Sequence, residues 1–185
     1  MILGISGDIG SFSEDAAIKY KHKTKDSLEF KYLIDIDNVL SSLENKTINF
    51  GIFPVVNLNG GLVKTAFDAM GKYKFRVVDE IWLDIDHHLI TNHSVNFQEI
   101  NKIISHPQAF AQCKKYLKKH FPKAEYIEWR STALAARNLS EGTFDSNTAV
   151  IGHKKTSHIY NLKVVAESIQ DKTPNLTAFI VVESF

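Results

Sequence analysis

Cysteine is almost missing from this chain: Cys113 stands alone among 185 residues. One thiol closes no internal disulfide and builds no multi-cysteine zinc or iron–sulfur site, and it suits a reducing compartment. An excess of charge of one sign is missing too, since 22 Lys and Arg face 21 Asp and Glu, a net of +1. That balance supplies no global field to draw nucleic acid or an anionic membrane. No apolar run approaches the ~20 residues of a membrane span. The stretch from Met1 to Gly7 lacks the basic segment of a secretory signal and reads as a first strand. There is no Pro/Gly linker, internal repeat or low-complexity segment. The eight histidines show neither His-x-x-x-His nor His-Glu-x-x-His spacing, so no metal or other cofactor is expected. A Gly-x-Ser-x-Gly nucleophile elbow is also absent. These absences leave a soluble cytoplasmic protein with a small-molecule ligand, no nucleic acid and no membrane.

What is present suffices for a core. The chain is 44% hydrophobic, and at this length roughly 70% of the unfolded surface can be buried. Runs rich in β-branched and aromatic residues predict strands at 2–6, 29–34, 48–53, 75–83, 101–104, 124–129, 149–152 and 178–182. Between them the apolar spacing is helical. Over 107–121, Phe110, Cys113, Leu117 and Phe121 recur at offsets of 3, 4 and 4, with Pro107 in the first turn. Lys114, Lys115, Lys118 and Lys119 take the other side and read as a solvated face, with Cys113 in the core. A second helix is predicted over 62–70, with Val63, Phe67 and Met70 aligned and Gly71 as its stop. Strand–helix alternation of this kind predicts an α/β protein with largely parallel sheets. The long extended stretch 75–89 suggests two lobes, one of about 1–77 and 160–185 and one of about 78–159.

Three strand-to-helix junctions carry candidate chemistry. Gly7 to Ala17 combines two glycines with Ser11, Phe12 and Ser13; a helix start there presents N–H groups and a positive dipole end to a carboxylate or phosphate. The same residues also fit a capping box of Ser11 with Glu14. Pro54 to Val63 holds Asn57, Asn59, Gly60 and Gly61, which supply donors, acceptors and close backbone approach, or form an Asn/Gly turn. Ser131, Thr132 and Ala133 form the third, with Ser131 as N-cap. Three such junctions suit a small ligand with two carboxylates. Asp84, Asp86, His87 and His88 read as the polar edge of a strand.

Taken in order, these segments resemble the catalytic domain of the prephenate dehydratases. Gly7–Ala17 is similar to that family's Gly-x-x-Gly-Thr-Phe-Ser-Glu-x-Ala-Ala opening, and Gly51–Val63 to its Gly-x-x-Pro-Ile-Glu-Asn-Ser-x-x-Gly-x-Val block. Glu80 to Leu89 resembles the segment entering the second lobe, with His87 at the family's histidine. Ser105-His106-Pro107-Gln108-Ala109 with Gln112-Cys113 carries the most specific match. Ser131-Thr132-Ala133 with Ala135-Ala136, and Asn175-Leu176-Thr177-Ala178-Phe179 at the place of Asn-x-Thr-Arg-Phe, complete the set. The resemblance implies two α/β lobes of the type II periplasmic-binding-protein kind, with prephenate or arogenate held in an inter-lobe cleft, and a homodimer. It also implies Thr177 as the catalytic residue. Substrate contacts are expected from Ser11, Phe12, Ser13, Asn57, Asn59, Gly60, Ser131, Thr132, Ala133 and Phe179.

Three positions depart from the pattern: the family's Glu is Val56, its Ser is Leu58, and the Arg of Thr-Arg-Phe is Ala178. If that Arg contacts substrate, its loss costs on the order of 2–5 kcal/mol unless another cation replaces it, and Arg130, Lys154 and Lys155 are candidates. If it pairs with the missing Glu, the two losses compensate, because exchanging a buried ion pair for apolar side chains can be nearly neutral. The expected reaction is decarboxylating dehydration of prephenate to phenylpyruvate, a carbon–oxygen lyase step. The alternatives are decarboxylation without aromatisation and non-catalytic ligand binding. Neither a phenylalanine-sensing ACT domain nor a chorismate mutase domain fits within the chain, so feedback through a fused domain is not expected.

Overall fold

The computed structural model describes residues 1–25 and 27–185. Its elements run β1 (Ile2–Ile5), α1 (Phe12–Thr24), β2 (Glu29–Tyr32), α2 (Ile36–Glu44), β3 (Phe50–Asn57), β4 (Gly61–Leu62), α3 (Lys64–Met70) and β5 (Phe75–Asp84). They continue with β6 (His88–Thr91), β7 (Lys102–Ser105), α4 (Pro107–Gln112), α5 (Lys114–His120), β8 (Glu125–Glu128), α6 (Thr132–Ser140), β9 (Thr148–Gly152), α7 (Lys154–Ile159), β10 (Lys163–Ala166) and β11 (Leu176–Ser184). Two compact units result, Met1–Ile85 with Asn175–Phe185, and Asp86–Pro174.

The first unit is a sheet of order β2-β1-β3-β11-β5, with β4 added to β3. β1 runs parallel to β2 and β3, and β11 is antiparallel to both β3 and β5. Strand alternation separates two core layers. On one, Leu3, Ile5, Ile52, Ile81, Phe179 and Val181 pack against Ala16, Ala17 and Tyr20 of α1. On the other, Phe53 and Val182 meet Val39, Leu40 and Leu43 of α2 and Ala66 and Ala69 of α3. Each large side chain so buried contributes about 1.5–3 kcal/mol. Helix starts follow from their caps: Asp35 accepts from the Asn38 amide at 2.9 Å to open α2.

The second unit is a sheet of order β10-β6-β9-β7-β8. β7 is parallel to β8 and β9, while β6 is antiparallel to β9 and to β10. Leu89, Ile103, Ala149 and Ile151 bury one face with Ala109, Cys113 and Leu117. Ile90, Ile104 and Val150 bury the other with Ala135, Ala136 and Leu139 of α6.

The structure corrects several expectations. The lobe boundaries lie at 85/86 and 174/175 instead of near 77 and 159. β5 does not change sheets but pairs with β11 from Phe75 to Asp84, and β10 belongs to the second unit through β6. The single helix over 107–121 is two helices broken at Cys113. The Asp171 carboxylate accepts from the amides of Lys115 at 2.8 Å and Tyr116 at 3.0 Å, capping a second helix start. The Asp171 amide meanwhile takes the Gln112 carbonyl at 2.7 Å. Cys113 is nonetheless core, and the four lysines are solvent-exposed. α3 starts two residues later than expected, because Gly61 and Leu62 pair with Asn57 and Val56. It buries Ala66 and Ala69 and leaves Phe67 exposed. β6 and β10, four residues each, were not anticipated.

Candidate functional site

Strand direction gathers the candidate residues of the first unit. β1 and β3 are parallel and β11 opposes β3, so the segments after β1, after β3 and before β11 share one edge of the sheet. There Asn57, 1% exposed, lies at the end of β3 and Thr177, 6% exposed, near the start of β11, directly opposite it. The hydrogen bonds fix the Asn57 amide: its Oδ1 accepts from the backbone N–H of Asn59 at 2.9 Å and of Gly60 at 2.6 Å. Its Nδ2 therefore faces the other way, donating to Thr177 Oγ1 and to Asn175 Oδ1, both at 2.9 Å. Since Nδ2 can only donate, Thr177 Oγ1 must accept, and its own proton is directed away from Asn57. A hydroxyl held by its lone pair is set to act as a donor.

The helix start after β1 satisfies much of itself. Gly7, at φ 152°, admits Ser11 so closely that a Cβ would stand 2.5 Å from its hydroxyl. Ser11 Oγ accepts from the Glu14 amide at 3.2 Å. In the reciprocal arm the Glu14 carboxylate accepts from the Gly10 amide at 3.1 Å, not from Ser11, and also from the Tyr32 hydroxyl. The capping reading of Ser11 with Glu14 thus holds in modified form. Ser11 and Ser13 are buried, and Phe12 leans on the core. Phe179, expected at the ligand, is 2% exposed and packs in the core with Ile81 opposite it.

In the second unit, parallel pairing likewise brings the ends of β7, β8 and β9 to one edge. Ser131 caps α6, accepting from the Leu134 amide at 3.4 Å; Thr132 is half-buried, Ala133 is buried and Arg130 is exposed. Ser105 Oγ donates to the Ile151 carbonyl at 2.8 Å, His106 Nδ1 accepts from the Gln108 amide at 3.2 Å, and Pro107 opens α4. The most specific motif therefore builds a strand-to-helix junction. It also delivers Gln112, whose Oε1 lies 2.9 Å from His87 Nε2.

His87 and His88 are buried at the head of β6, not the polar strand edge expected of them. Burial pushes the His87 pKa down to about 4, against a smaller opposing pull from Gln112, so the ring is neutral at pH 7. Burial likewise lowers the pKa values of His88 and His106, while it raises that of the Cys113 thiol. Asp86 accepts from Ser168 Oγ at 3.1 Å and Gln170 Nε2 at 2.9 Å. Of the candidate cations, Lys154 is paired with Glu167 at 2.7 Å. Among the described residues no group of three or more His, Cys, Asp or Glu side chains is arranged to hold a metal ion. Also among them, no helix is long and apolar enough to cross a membrane.

The register bears on the departures. Ala178 lies directly opposite Val56, and the cross-sheet row continues to Trp82 on β5 and Leu62 on β4. Directly opposed residues bring their Cβ atoms about 4.5–5.5 Å apart, so a Glu at 56 and an Arg at 178 would be cross-strand partners. Sequence reasoning did not single out two residues of these networks, Gln112 and Asn175. Both stand within quoted motifs, and a polar residue in a motif otherwise destined for a core is the signal that marks them.

Comparison with known proteins places the chain. A family model described as prephenate dehydratase matches residues 3–184. The chain is 32% identical over 178 residues to the bifunctional chorismate mutase/prephenate dehydratase of Stutzerimonas stutzeri, covering 96% of this chain and 47% of that protein. It is 33% identical over 174 residues to the prephenate dehydratase of Methanocaldococcus jannaschii, covering 94% and 61% respectively. The chain thus spans about half the length of most of the curated relatives it matches. The fold is that of the Arthrobacter aurescens prephenate dehydratase solved with L-Phe, with a TM-score of 0.81, 24% identity, and coverage of 100% of this chain and 60% of that one. A putative methionine-binding lipoprotein of Bacillus subtilis shares it at a TM-score of 0.57 and 12% identity, over 100% of this chain and 83% of its own. The two α/β lobes are accordingly of the type II periplasmic-binding-protein kind.

Proposed function

Because the chain belongs to the prephenate dehydratase family, we propose that it catalyses the decarboxylating dehydration of prephenate to phenylpyruvate, with arogenate as the alternative substrate. The observation that carries the reading is the Thr177 hydroxyl, fixed as acceptor from Asn57 and so left with its proton to give. In this reaction the bond from the ring to its carboxylate breaks, CO2 leaves, and the released electron pair aromatises the ring as the C4–O bond breaks; the C4 hydroxyl departs as water with one proton that comes from solvent through the Thr177 hydroxyl, which is left protonated. Aromatisation drives the step, so the protein needs to hold a dianion, donate to the leaving oxygen and exclude water. Thr177 is the donor. Ser11, Phe12 and Ser13, together with Asn57, Asn59 and Gly60, are the substrate-holding residues proposed from the first unit. Arg130, Ser131, Thr132 and Ala133 are those proposed from the second.

The direct opposition of Val56 and Ala178 supports retained activity, since it fits the joint loss of a structural pair better than the loss of a substrate contact. A cytoplasmic setting fits the single buried Cys113 thiol; a homodimer rests on the resemblance alone. The test is a pair of variants at one position. Thr177→Ala is expected to lower kcat by at least about 10²-fold with its thermal transition kept, whereas Thr177→Ser, which retains the hydroxyl, stays within about tenfold of wild type. A Thr177→Ala protein turning over prephenate at the wild-type rate would remove the assignment.

A further inference from the structure

Asn175 is 0% exposed and immediately precedes β11, at the point where the chain re-enters the first unit. Its polar groups tie the end of β5 to the Asn57 amide. Its backbone N–H donates to Asp84 Oδ1 at 2.7 Å, and its carbonyl accepts from the Ile85 amide at 3.0 Å. Its side-chain Nδ2 donates to the Ile85 carbonyl at 2.9 Å, which turns Oδ1 toward Asn57 Nδ2 at 2.9 Å. Asn59 Nδ2 reaches the same oxygen at 3.4 Å. The side-chain amide of Asn175 is therefore oriented by the Ile85 carbonyl while Asp84 holds its backbone N–H, these being the last two residues before the chain leaves this unit. That orientation in turn gives Asn57 Nδ2 the acceptor that holds it against Thr177.

We propose that Asn175 is a positioning residue for Thr177, acting through the Asn57 amide, and that Asp84 anchors it. The inference rests on the dehydratase reading and deepens it. Asn57 alone has rotational freedom about its terminal torsion; two backbone donors on Oδ1 and the Asn175 acceptor on Nδ2 remove it. Without Asn175 Oδ1, Nδ2 loses one of its two 2.9 Å acceptors and keeps Thr177 Oγ1 and the Asn175 carbonyl at 3.4 Å, so the Asn57 amide is held less firmly against the Thr177 hydroxyl. The chemistry suffers while substrate contacts elsewhere persist. Asp84 extends the same control to the end of β5.

Steady-state kinetics with prephenate on the full chain test this. Asn175→Ala is expected to lower kcat by up to about 10²-fold, as misplacement of a reacting group does, with KM within about threefold of wild type. Asp84 is solvent-exposed, so its variants fold even if a change at buried Asn175 abolishes the thermal transition. Asp84→Ala is expected to lower kcat about 3- to 10-fold at unchanged KM, and Asp84→Asn, which keeps Oδ1 as acceptor, to restore it. A rise in KM with kcat kept, or equal kcat for all Asp84 variants and wild type, overturns the inference and leaves the dehydratase reading standing. A wild-type protein inactive on prephenate overturns both.

Discussion

His87 shows how one side chain ties the stability of the second unit to pH. Its ring is buried beside Gln112, and burial holds its pKa near 4, below the ordinary 6.5. The unfolded chain therefore binds a proton more readily than the folded one between these values. The stability His87 contributes is full above about 6.5 and is lost as pH falls toward 4, on the order of 3 kcal/mol across that window. His88 and His106, lowered by burial as well, act in the same direction. Urea unfolding at pH 8, 6 and 5 is expected to show falling stability, with a shallower fall in His87→Gln; identical slopes for the two proteins would contradict this. At this scale the sequence was partly legible. Thr177, Asn57 and the Ser11 cap were visible because their motifs place polar groups at strand and helix ends. The burial of His87 was not, because it depends on α4 delivering Gln112 from 25 positions away. The burial of Phe179 is hidden for the converse reason: it follows Ala178 along β11, and only the register with Ile81 shows that it faces the core.

Among the elements, β11 carries the most weight, lying between β3 and β5 with Phe179, Val181 and Val182 all buried. Its register with β3 turns the departures at 56 and 178 into a single cross-strand question. Val56→Glu alone and Ala178→Arg alone each place a charge without a partner on a half-buried or buried position, and each is expected to destabilise by about 1–3 kcal/mol. The double variant is expected to recover about 0.5–1 kcal/mol relative to their sum, the size of an opposed charged pair on a sheet. Strict additivity in thermal or urea unfolding would count against a former pair. The long strands and the amphipathic spacing of 107–121 were readable from local pattern. The break at Cys113 was not, because its cause is Asp171, which lies some sixty residues away and caps the second helix start through Lys115 and Tyr116.

For the whole molecule, alternation of strands and helices announced an α/β chain, and both units bear that out; the largely parallel sheets expected with it are not found, because β4, β5, β6, β10 and β11 all pair antiparallel. The unit boundaries escaped because extended stretches look alike whether they cross between sheets or complete one; β5 does the latter along its full length. The near-zero net charge acquires a sharper meaning here, since the dianionic substrate we propose would be held by a few local groups and not by a general field. Incubation of the purified chain with prephenate, following phenylpyruvate and CO2 together, tests the central claim most directly. Equimolar phenylpyruvate and CO2, formed well above the uncatalysed rate and lost in Thr177→Ala, is the predicted result. CO2 release with a non-aromatic product, or prephenate binding without turnover, would contradict it.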